Sequence, residues 1–180
     1  QQLARLEPPL GEVLDVACGR GQLSILLVEL GLATRFTGLD WDRRKVEVCQ
    51  VAAGEDGRAI VADATRAELA PVDTVLIIDA LHYLAREERR ALLERAAAAL
   101  RPGGRLVIRE LDPKRGLRSR IAQWAERVGS RVGMNRGAVC EWVDPAALSA
   151  EVAALGLSPR LVPHPDDKPS PNYLLIADKA

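Results

Sequence analysis

The feature that most constrains the fold is a regular alternation of short apolar runs with segments of helical composition. Residues 73–79 (DTVLIID) are mostly β-branched and aliphatic, which is typical of a strand buried on both faces. Residues 86–100, rich in Ala, Leu, Glu and Arg, instead follow a helical pattern that ends at Pro102. Strands that alternate with helices predict a parallel sheet covered by helices on both faces. The predicted strands lie near 13–17, 35–39, 58–62, 73–79, 105–111, 158–163 and 172–178, and the predicted helices near 22–30, 43–53, 86–100, 117–131 and 144–155, with a short helical stretch from Thr65.

The last strand is expected to run against the others. The loop that precedes it carries four prolines, at 163, 165, 169 and 171, and these exclude a helix there. Two strands joined without a helix must pair antiparallel. The sequence therefore predicts one doubly wound α/β domain over residues 1–180, with a mostly parallel seven-stranded sheet and a reversed last strand. Residues 112–143 break the rhythm and are predicted to form a helical insertion.

Composition excludes several classes of protein. The 25 basic and 25 acidic residues give a net charge of zero, so no overall basic field would concentrate nucleic acid. No apolar run reaches the ~18–20 residues of a membrane span, and no signal-peptide pattern is present. Cys18, Cys49 and Cys140 are odd in number and far apart, which favours free thiols in a reducing, cytoplasmic setting over a disulfide framework or a metal site.

The first predicted strand leads into a loop of small residues that suits close approach of a ligand. Asp15 ends the strand, and the loop Ala17–Gly21 opens the first helix. Small residues admit a ligand close to the backbone, and the start of a helix offers unpaired N–H groups with a partial positive charge. The same loop could be only the tight turn that any α/β protein needs, because a glycine loop is by itself a weak signal.

Three carboxylates strengthen the case for a site. Asp40, Asp63 and Asp79 each follow a predicted strand, and strand ends of a parallel sheet face one crevice. Asp40 lies about 20 residues beyond the glycines, where a carboxylate can accept hydrogen bonds from ribose hydroxyls. Asp63 could accept from an exocyclic amine, although an aspartate before Thr65 could equally be a helix cap.

A nicotinamide dinucleotide is the main alternative ligand for this crevice. Such a ligand favours the spacing GxGxxG, whereas this loop has AxGxG followed by Gln22. The Asp15 carboxylate is poorly placed for a pyrophosphate and well placed for an ammonium or sulfonium group. A non-catalytic module that keeps the fold and binds the same cofactor is a further alternative, against which the three strand-end carboxylates argue.

Five segments in this order and spacing resemble the class I, seven-stranded methyltransferases that use S-adenosylmethionine. The segments are LDVACGRGQ, GLDWD, VADAT, DALHYL and LRPGGRLVIRE, and the resemblance covers nearly the whole chain, from about Glu12 to Ala180. It implies a Rossmann-like fold, S-adenosylmethionine as the cofactor and methyl transfer as the reaction. Nucleic-acid methyltransferases are expected to have an aromatic-Pro motif such as NPPY or DPPY after the fourth strand. This chain has DALHYL at that place, which favours an acceptor other than nucleic acid.

The resemblance also assigns residues to parts of the cofactor. It implies that Asp15 and the backbone of Ala17, Cys18, Gly19 and Gly21 hold the methionine part. By the same resemblance, Asp40 binds the ribose hydroxyls and Trp41 lies against the adenine face. Asp63 and Ala64 recognise the adenine edge, and Asp79 lies beside the methionine amino group. Ala17 stands where the family usually has its first glycine, and alanine is expected to fit there with a negative φ.

Two residues are candidates for chemistry. His82 follows Asp79 on the loop that faces the transferred methyl in this family, and its ordinary pKa of roughly 6.5 suits a general base for a hydroxyl acceptor. An exposed or helix-capping histidine is an equal alternative, and His164 in the proline loop is less well placed. Glu110 and Arg109 end the fifth strand, where an unpaired buried charge would be costly, so an Arg–Glu pair or a substrate contact is expected.

The acceptor is less constrained. In this family the insertion after the fifth strand often forms a lid, and residues 114–136 carry seven basic side chains together with Trp124 and Met134. Such a lid could favour a small-molecule or carrier-bound acyl or phenolic acceptor, methylated on oxygen, although a basic run is usually a solvated helix face. Because little chain precedes the first strand, a homodimer or a partner subunit could complete the acceptor site.

Overall fold

The structure is a computed structural model that describes residues 6, 9–114, 141–162 and 172–180. Its strands are β1 Glu12–Val16, β2 Arg35–Asp40, β3 Gly57–Val61, β4 Val72–Ile78, β5 Leu100–Leu111, β6 Leu157–Val162 and β7 Asn172–Lys179. Its helices are α1 Gln22–Glu29, α2 Arg43–Ala52, α3 Arg86–Ala99 and α4 Pro145–Ala153, with a 3-10 turn at Leu81–Tyr83.

The seven strands form one sheet in the order β3-β2-β1-β4-β5-β7-β6. All neighbours pair in parallel except β7, which runs antiparallel to both β5 and β6. β1 and β4 lie side by side, and the chain leaves them in opposite directions, from β1 toward β2 and from β4 toward β5. This reversal opens a crevice beyond the carboxyl ends of the central strands. The predicted fold class, including the reversed last strand, is confirmed.

Alternate residues of the central strands pack against helices on opposite faces of the sheet. One face is covered by α1 and α2, through core residues Val13, Leu27, Cys49, Leu76 and Val107. The other is covered by α3 and α4, through Leu14, Val75, Leu92, Leu106 and Leu148. Because both faces are buried, the middle parts of these strands are mostly apolar, which explains the runs that made the sheet predictable. Among the helices of the described ranges, none combines the length and the apolar composition that a membrane crossing requires.

Two local predictions were wrong. No helix starts at Thr65, because Asp63 Oδ1 accepts hydrogen bonds from both Thr65 N (2.9 Å) and Thr65 Oγ1 (2.6 Å), which fold this segment as a turn. The fifth strand also begins earlier than predicted, at Leu100 rather than 105. The pairing shifts between Val72↔Leu100 and Thr74↔Arg105, so the Pro-Gly-Gly segment is accommodated as an irregularity of the strand.

Predictions made for residues 115–140 and 163–171 lie outside the described residues. They concern the inserted helix near 117–131, most of the lid at 112–143, the proline loop, and the side chains of Trp124, Met134, Cys140 and His164.

Candidate functional site

A cavity of about 490 Å³ lies at the carboxyl ends of β1, β2 and β4, where the strand order reverses. Six residues of its wall are among those expected at a cofactor site: Ala17, Gly19, Asp40, Asp63, Ala64 and Asp79. Trp41, 42% exposed, is a seventh. The remaining predicted residues, Asp15, Cys18, Gly21, His82 and Glu110, do not line it.

The loop between β1 and α1 turns through three residues with positive φ: Ala17 (60°), Gly19 (58°) and Gly21 (71°). The expectation that Ala17 has a negative φ was therefore wrong. Cys18 N donates to Leu39 O at 3.0 Å and ties the loop to β2, so the chain must turn sharply at Ala17. A left-handed conformation costs a residue with a Cβ about 1–2 kcal/mol, and such strain is concentrated at functional loops.

The two glycines of the loop serve different purposes. A Cβ built on Gly19 would meet nothing within 4 Å, so this residue presents open backbone to the cavity. A Cβ built on Gly21 would lie 2.2 Å from Cys49 Sγ, so Gly21 lets the loop pack against α2. Sequence reasoning gave both residues a role at the ligand, whereas close packing inside the protein explains Gly21.

Asp40 connects the loop to the next helix. Its Oδ2 accepts from Gly19 N at 2.9 Å and its Oδ1 accepts from Asp42 N at 2.8 Å. The residue is only 4% exposed, yet it lines the cavity. Each carboxylate oxygen has a second lone pair, so the side chain can hold the backbone and still accept from a ligand.

Arg109 and Glu110 do not pair with each other, because neighbouring residues of a strand point to opposite faces. Arg109 Nη2 instead lies 3.3 Å from Asp79 Oδ2, at the rim of the cavity. Asp79 itself has a φ of 53° and donates its N–H to Arg109 O at 2.9 Å. The alternating direction of strand side chains could have predicted that the expected Arg–Glu pair does not form.

Glu110 is paired with the other candidate for chemistry, His82. Both residues are buried, at 1% and 5% exposure. Glu110 Oε2 lies 2.8 Å from His82 Nδ1, and Glu110 Oε1 accepts from Leu81 N at 2.6 Å. The imidazole also stacks on Trp142, with ring centroids 5.6 Å apart. This pair lies behind Tyr83, which follows His82 in the 3-10 turn and lines the cavity.

Asp15 lies beneath the loop rather than on the cavity wall. It is 3% exposed, and its Oδ2 accepts from Ser24 Oγ at 2.6 Å. Burial raises the pKa of this carboxyl from 3.8 to about 6; the Ser24 hydrogen bond lowers it and the Asp40 charge raises it further. At neutral pH the folded protein therefore holds an ionised carboxylate at an energetic cost, which is typical of a functional group.

Replacing Asp15 with asparagine should stabilise the free protein. Folding raises the pKa of the Asp15 carboxyl to about 6. The stability contributed by its protonated form is therefore fully present below the pKa of the carboxyl in the unfolded chain, and it is lost as pH rises through about 6. At pH 7.5 we expect Asp15→Asn to increase the free energy of unfolding by about 1–3 kcal/mol, and at pH 5 by about half as much. Urea unfolding at both pH values measures this.

Asp73→Asn is the matched control. The backbone N–H of Glu12 and the Arg101 guanidinium hold the pKa of Asp73 below its usual value, so this carboxylate stabilises the fold when ionised. Its replacement should lower stability at pH 7.5. A loss of stability in Asp15→Asn as well would show that the ionised Asp15 carboxylate is not costly in the fold.

The cysteines of the loop region are not reactive groups. Cys18 and Cys49 are free thiols, and burial is the main cause that raises the pKa of each. Both therefore stay protonated at neutral pH, unlike a nucleophilic or metal-ligating thiolate. Within the ranges that the structure describes, no cluster of three or more His, Cys, Asp or Glu side chains could hold a metal ion.

Sequence reasoning missed three charged residues of the cavity wall. Lys45 lies in the first turn of α2, Arg66 in the turn after β3, and Glu88 in the first turn of α3. All three follow the carboxyl end of a strand, and that position in the sequence was the available signal. Their side chains give the cavity wall a mixed charge.

Comparison with known proteins decides the family. The sequence profile of the methyltransferase domain matches residues 13–104, which span β1 to the start of β5 and contain the whole cavity wall. The chain belongs to the methyltransferase family. The predictions of a class I methyltransferase, of S-adenosylmethionine as its cofactor, and of an enzyme rather than a binding module are confirmed at the level of the family. The nicotinamide alternative is thereby set aside.

Among curated relatives, the methyltransferase is 27% identical over 160 residues to a ubiquinone biosynthesis O-methyltransferase of Xanthomonas axonopodis pv. citri. The match covers 86% of this chain and 65% of the relative, so the chain spans less than two thirds of that protein. Matches to two other ubiquinone biosynthesis O-methyltransferases cover 42% and 65% of those relatives.

Solved structures show the same fold. A chain of the complex between the Haloferax volcanii Trm112 methyltransferase activator and a methyltransferase superposes with a TM-score of 0.76 at 17% identity, covering 98% of this chain and 86% of that one. Magnesium protoporphyrin IX methyltransferase from Synechocystis PCC 6803, solved with bound SAH, gives a TM-score of 0.70 at 22% identity, with 99% and 78% covered.

Proposed function

We propose that this methyltransferase transfers the methyl group of S-adenosylmethionine to an oxygen atom of a small-molecule or carrier-bound acyl or phenolic acceptor. The observation that carries the proposal is the buried His82–Glu110 pair directly behind Tyr83. A hydroxyl acceptor must lose a proton as it is methylated, and an oriented imidazole can take it. The similarity to ubiquinone biosynthesis O-methyltransferases supports oxygen as the target.

The cavity fits the proposed cofactor in size and chemistry. Its volume of about 490 Å³ is in the range of small-molecule and cofactor sites. Gly19 leaves space that a Cβ would fill, and the wall carries the acidic groups Asp40, Asp63 and Asp79. Acidic groups suit a ligand that bears an ammonium, a sulfonium, an exocyclic amine and ribose hydroxyls.

We assign parts of the cofactor to the residues as follows. Asp79 and the backbone of the Ala17–Gly21 loop hold the methionine end, and Asp15 beneath the loop adds negative charge to that end. Asp40 accepts from the ribose hydroxyls, while Trp41 covers the adenine face and Asp63 with Ala64 reads the adenine edge. Bound S-adenosylmethionine supplies a methyl group already activated on sulfur, so the protein contributes mainly proximity and alignment.

The pairing of His82 with Glu110 sets which imidazole nitrogen is basic. A carboxylate 2.8 Å from Nδ1 keeps a proton on that nitrogen, so Nε2 is the one that can accept. Glu110 is itself fixed by the N–H of Leu81 at 2.6 Å and can hold the ring in place. We assign His82 as the general base for the acceptor's hydroxyl proton and Glu110 as the residue that orients it. Because Nε2 is buried in this structure, the acceptor would have to reach it past Tyr83.

We further propose that a second copy of the chain or a partner subunit completes the acceptor site. The curated relatives extend beyond the matched region, and the Haloferax volcanii methyltransferase was solved with an activator. The cytoplasmic location suggested by the unpaired cysteines remains a prediction.

The choice of oxygen is tested with matched acceptors. The purified chain is incubated with methyl-labelled S-adenosylmethionine and either 4-propylphenol or 4-propylaniline, and the products are separated and identified. We expect label on the phenol oxygen and little on the aniline nitrogen. Labelling of the aniline in preference to the phenol, or of added DNA in preference to both, would contradict oxygen methylation of a small acceptor.

A further inference from the structure

The turn between β3 and β4 is held from outside by one side chain of α3, Arg95. Residues 62–71 contain no helix. Asp63 O accepts from Arg66 N and Ala67 N within the turn, whereas the carbonyl groups of Ala64 and Ala67 bond to a residue outside it. Arg95 Nη2 donates to Ala64 O at 2.6 Å, and Arg95 Nη1 donates to Ala67 O at 2.7 Å. The guanidinium therefore bridges two carbonyl groups of the turn with the two nitrogens of its fork.

The same side chain is anchored on its own helix. Arg95 Nε donates to Ala91 O at 3.3 Å, one turn earlier in α3. Arg95 is half-buried, and beneath it the apolar side of α3 packs with Ala64 and Ala67 through a core cluster that includes Leu92. The position of the turn is thus set by a rigid helix, through an apolar contact and two strong hydrogen bonds.

This turn is part of the cavity wall. Asp63, Ala64, Thr65 and Arg66 all line the cavity, and the Asp63 carboxylate is directed by its bonds to Thr65. A shift of the Ala64 carbonyl would move Asp63, its neighbour in the chain. Since an error of about 1 Å in a binding group can remove most of its contribution, the anchor of this turn affects recognition at the site.

We propose that Arg95 is a positioning residue that makes the site selective for adenine. The inference rests on the proposed function, in which Asp63 accepts a hydrogen bond from the exocyclic amine of adenine. Hypoxanthine has a carbonyl oxygen at that position, so a fixed Asp63 carboxylate would meet an acceptor and repel it. A turn released from Arg95 can move away from that oxygen, and the distinction between the two bases weakens.

Arginine is better suited to this task than lysine. The planar guanidinium presents several donors in a fixed fork and can bond two carbonyl oxygens at once with little loss of freedom. An ammonium is a compact charge on a flexible stem and does not fix the spacing between the two carbonyls. Arg95→Lys should therefore keep the charge and lose part of the selectivity.

The test is a comparison of two ligands that differ at one position of the base. Dissociation constants for S-adenosylhomocysteine and S-inosylhomocysteine are measured by calorimetry on the wild-type chain, Arg95→Ala and Arg95→Lys. We expect the wild type to prefer the adenine ligand, and Arg95→Ala to reduce that preference about tenfold, the equivalent of ~1.4 kcal/mol. Arg95→Lys should give an intermediate value and serves as the test variant if Arg95→Ala does not fold.

Arg90→Ala is the matched control, because Arg90 lies on the same helix and is exposed, with Glu94 as its partner at 2.9 Å. It should leave the preference unchanged. Equal loss of affinity for both ligands, or an unchanged ratio, in the folded Arg95 variants would overturn the inference and leave Arg95 a structural role. If the wild type binds neither ligand, the proposed cofactor site itself fails, a result distinct from an unchanged ratio.

Discussion

Replacing Asp40 with alanine should weaken binding of S-adenosylmethionine by about 100-fold or more. The side chain would lose two hydrogen bonds to the ribose, and charge-assisted bonds of this kind contribute ~1.5–3 kcal/mol each. It would also release Gly19 N and Asp42 N, whose bonds to Asp40 hold the glycine loop and the start of α2. The lost ribose bonds and the loosened loop both weaken binding of S-adenosylmethionine. Titration calorimetry on the folded variant measures the change.

Asp42→Ala is the control for this effect. Asp42 is the next carboxylate in the chain and caps α2, where it accepts from Arg44 N and Lys45 N. Its loss should lower stability by about 1 kcal/mol, as for other helix caps, while affinity changes only a few-fold. An Asp40→Ala variant that is folded and binds with unchanged affinity would remove Asp40 from the cofactor site.

Replacing His82 with alanine should lower the turnover number for a hydroxyl acceptor by roughly 10²–10⁴, the usual contribution of a general base. Affinity for S-adenosylmethionine should change little, because His82 does not line the cavity. Steady-state kinetics with a hydroxyl acceptor, and a cofactor titration alongside, separate the effect on turnover from the effect on cofactor binding.

The second histidine of the chain provides the control. His164→Ala changes the other histidine, in the proline-rich segment 163–171 of the sequence, and should retain turnover. Glu110→Gln should reduce turnover less than His82→Ala because it removes only the orienting carboxylate. Full activity of His82→Ala would show that the acceptor needs no base or that another group supplies it.

The fold and the main wall of the site were predictable because both follow from local patterns. Apolar runs such as residues 73–79 mark strands buried on two faces, and residues that follow parallel strands must share one edge. The same rule places Asp40, Asp63 and Asp79 at one edge of the sheet, and all three line the cavity.

The features that the sequence did not predict depend on contacts between distant parts of the chain, or on a side chain that competes with the backbone for hydrogen bonds within a few residues. The positive φ of Ala17 follows from the bond of Cys18 N to Leu39 O, which joins two strands. The missing helix at Thr65 follows from the Asp63 side chain, which satisfies the backbone locally. Arg95 lies on α3, 31 residues after Ala64, and no spacing in the sequence signals the contact between them.

The most direct test of the account is titration of the unaltered chain at pH 7.5 with S-adenosylmethionine and, separately, with NAD. We expect one binding site per chain for S-adenosylmethionine and no measurable binding of NAD, because the carboxylates around the glycine loop favour a cationic ligand and disfavour a pyrophosphate. Binding of NAD, with none of S-adenosylmethionine, would contradict it.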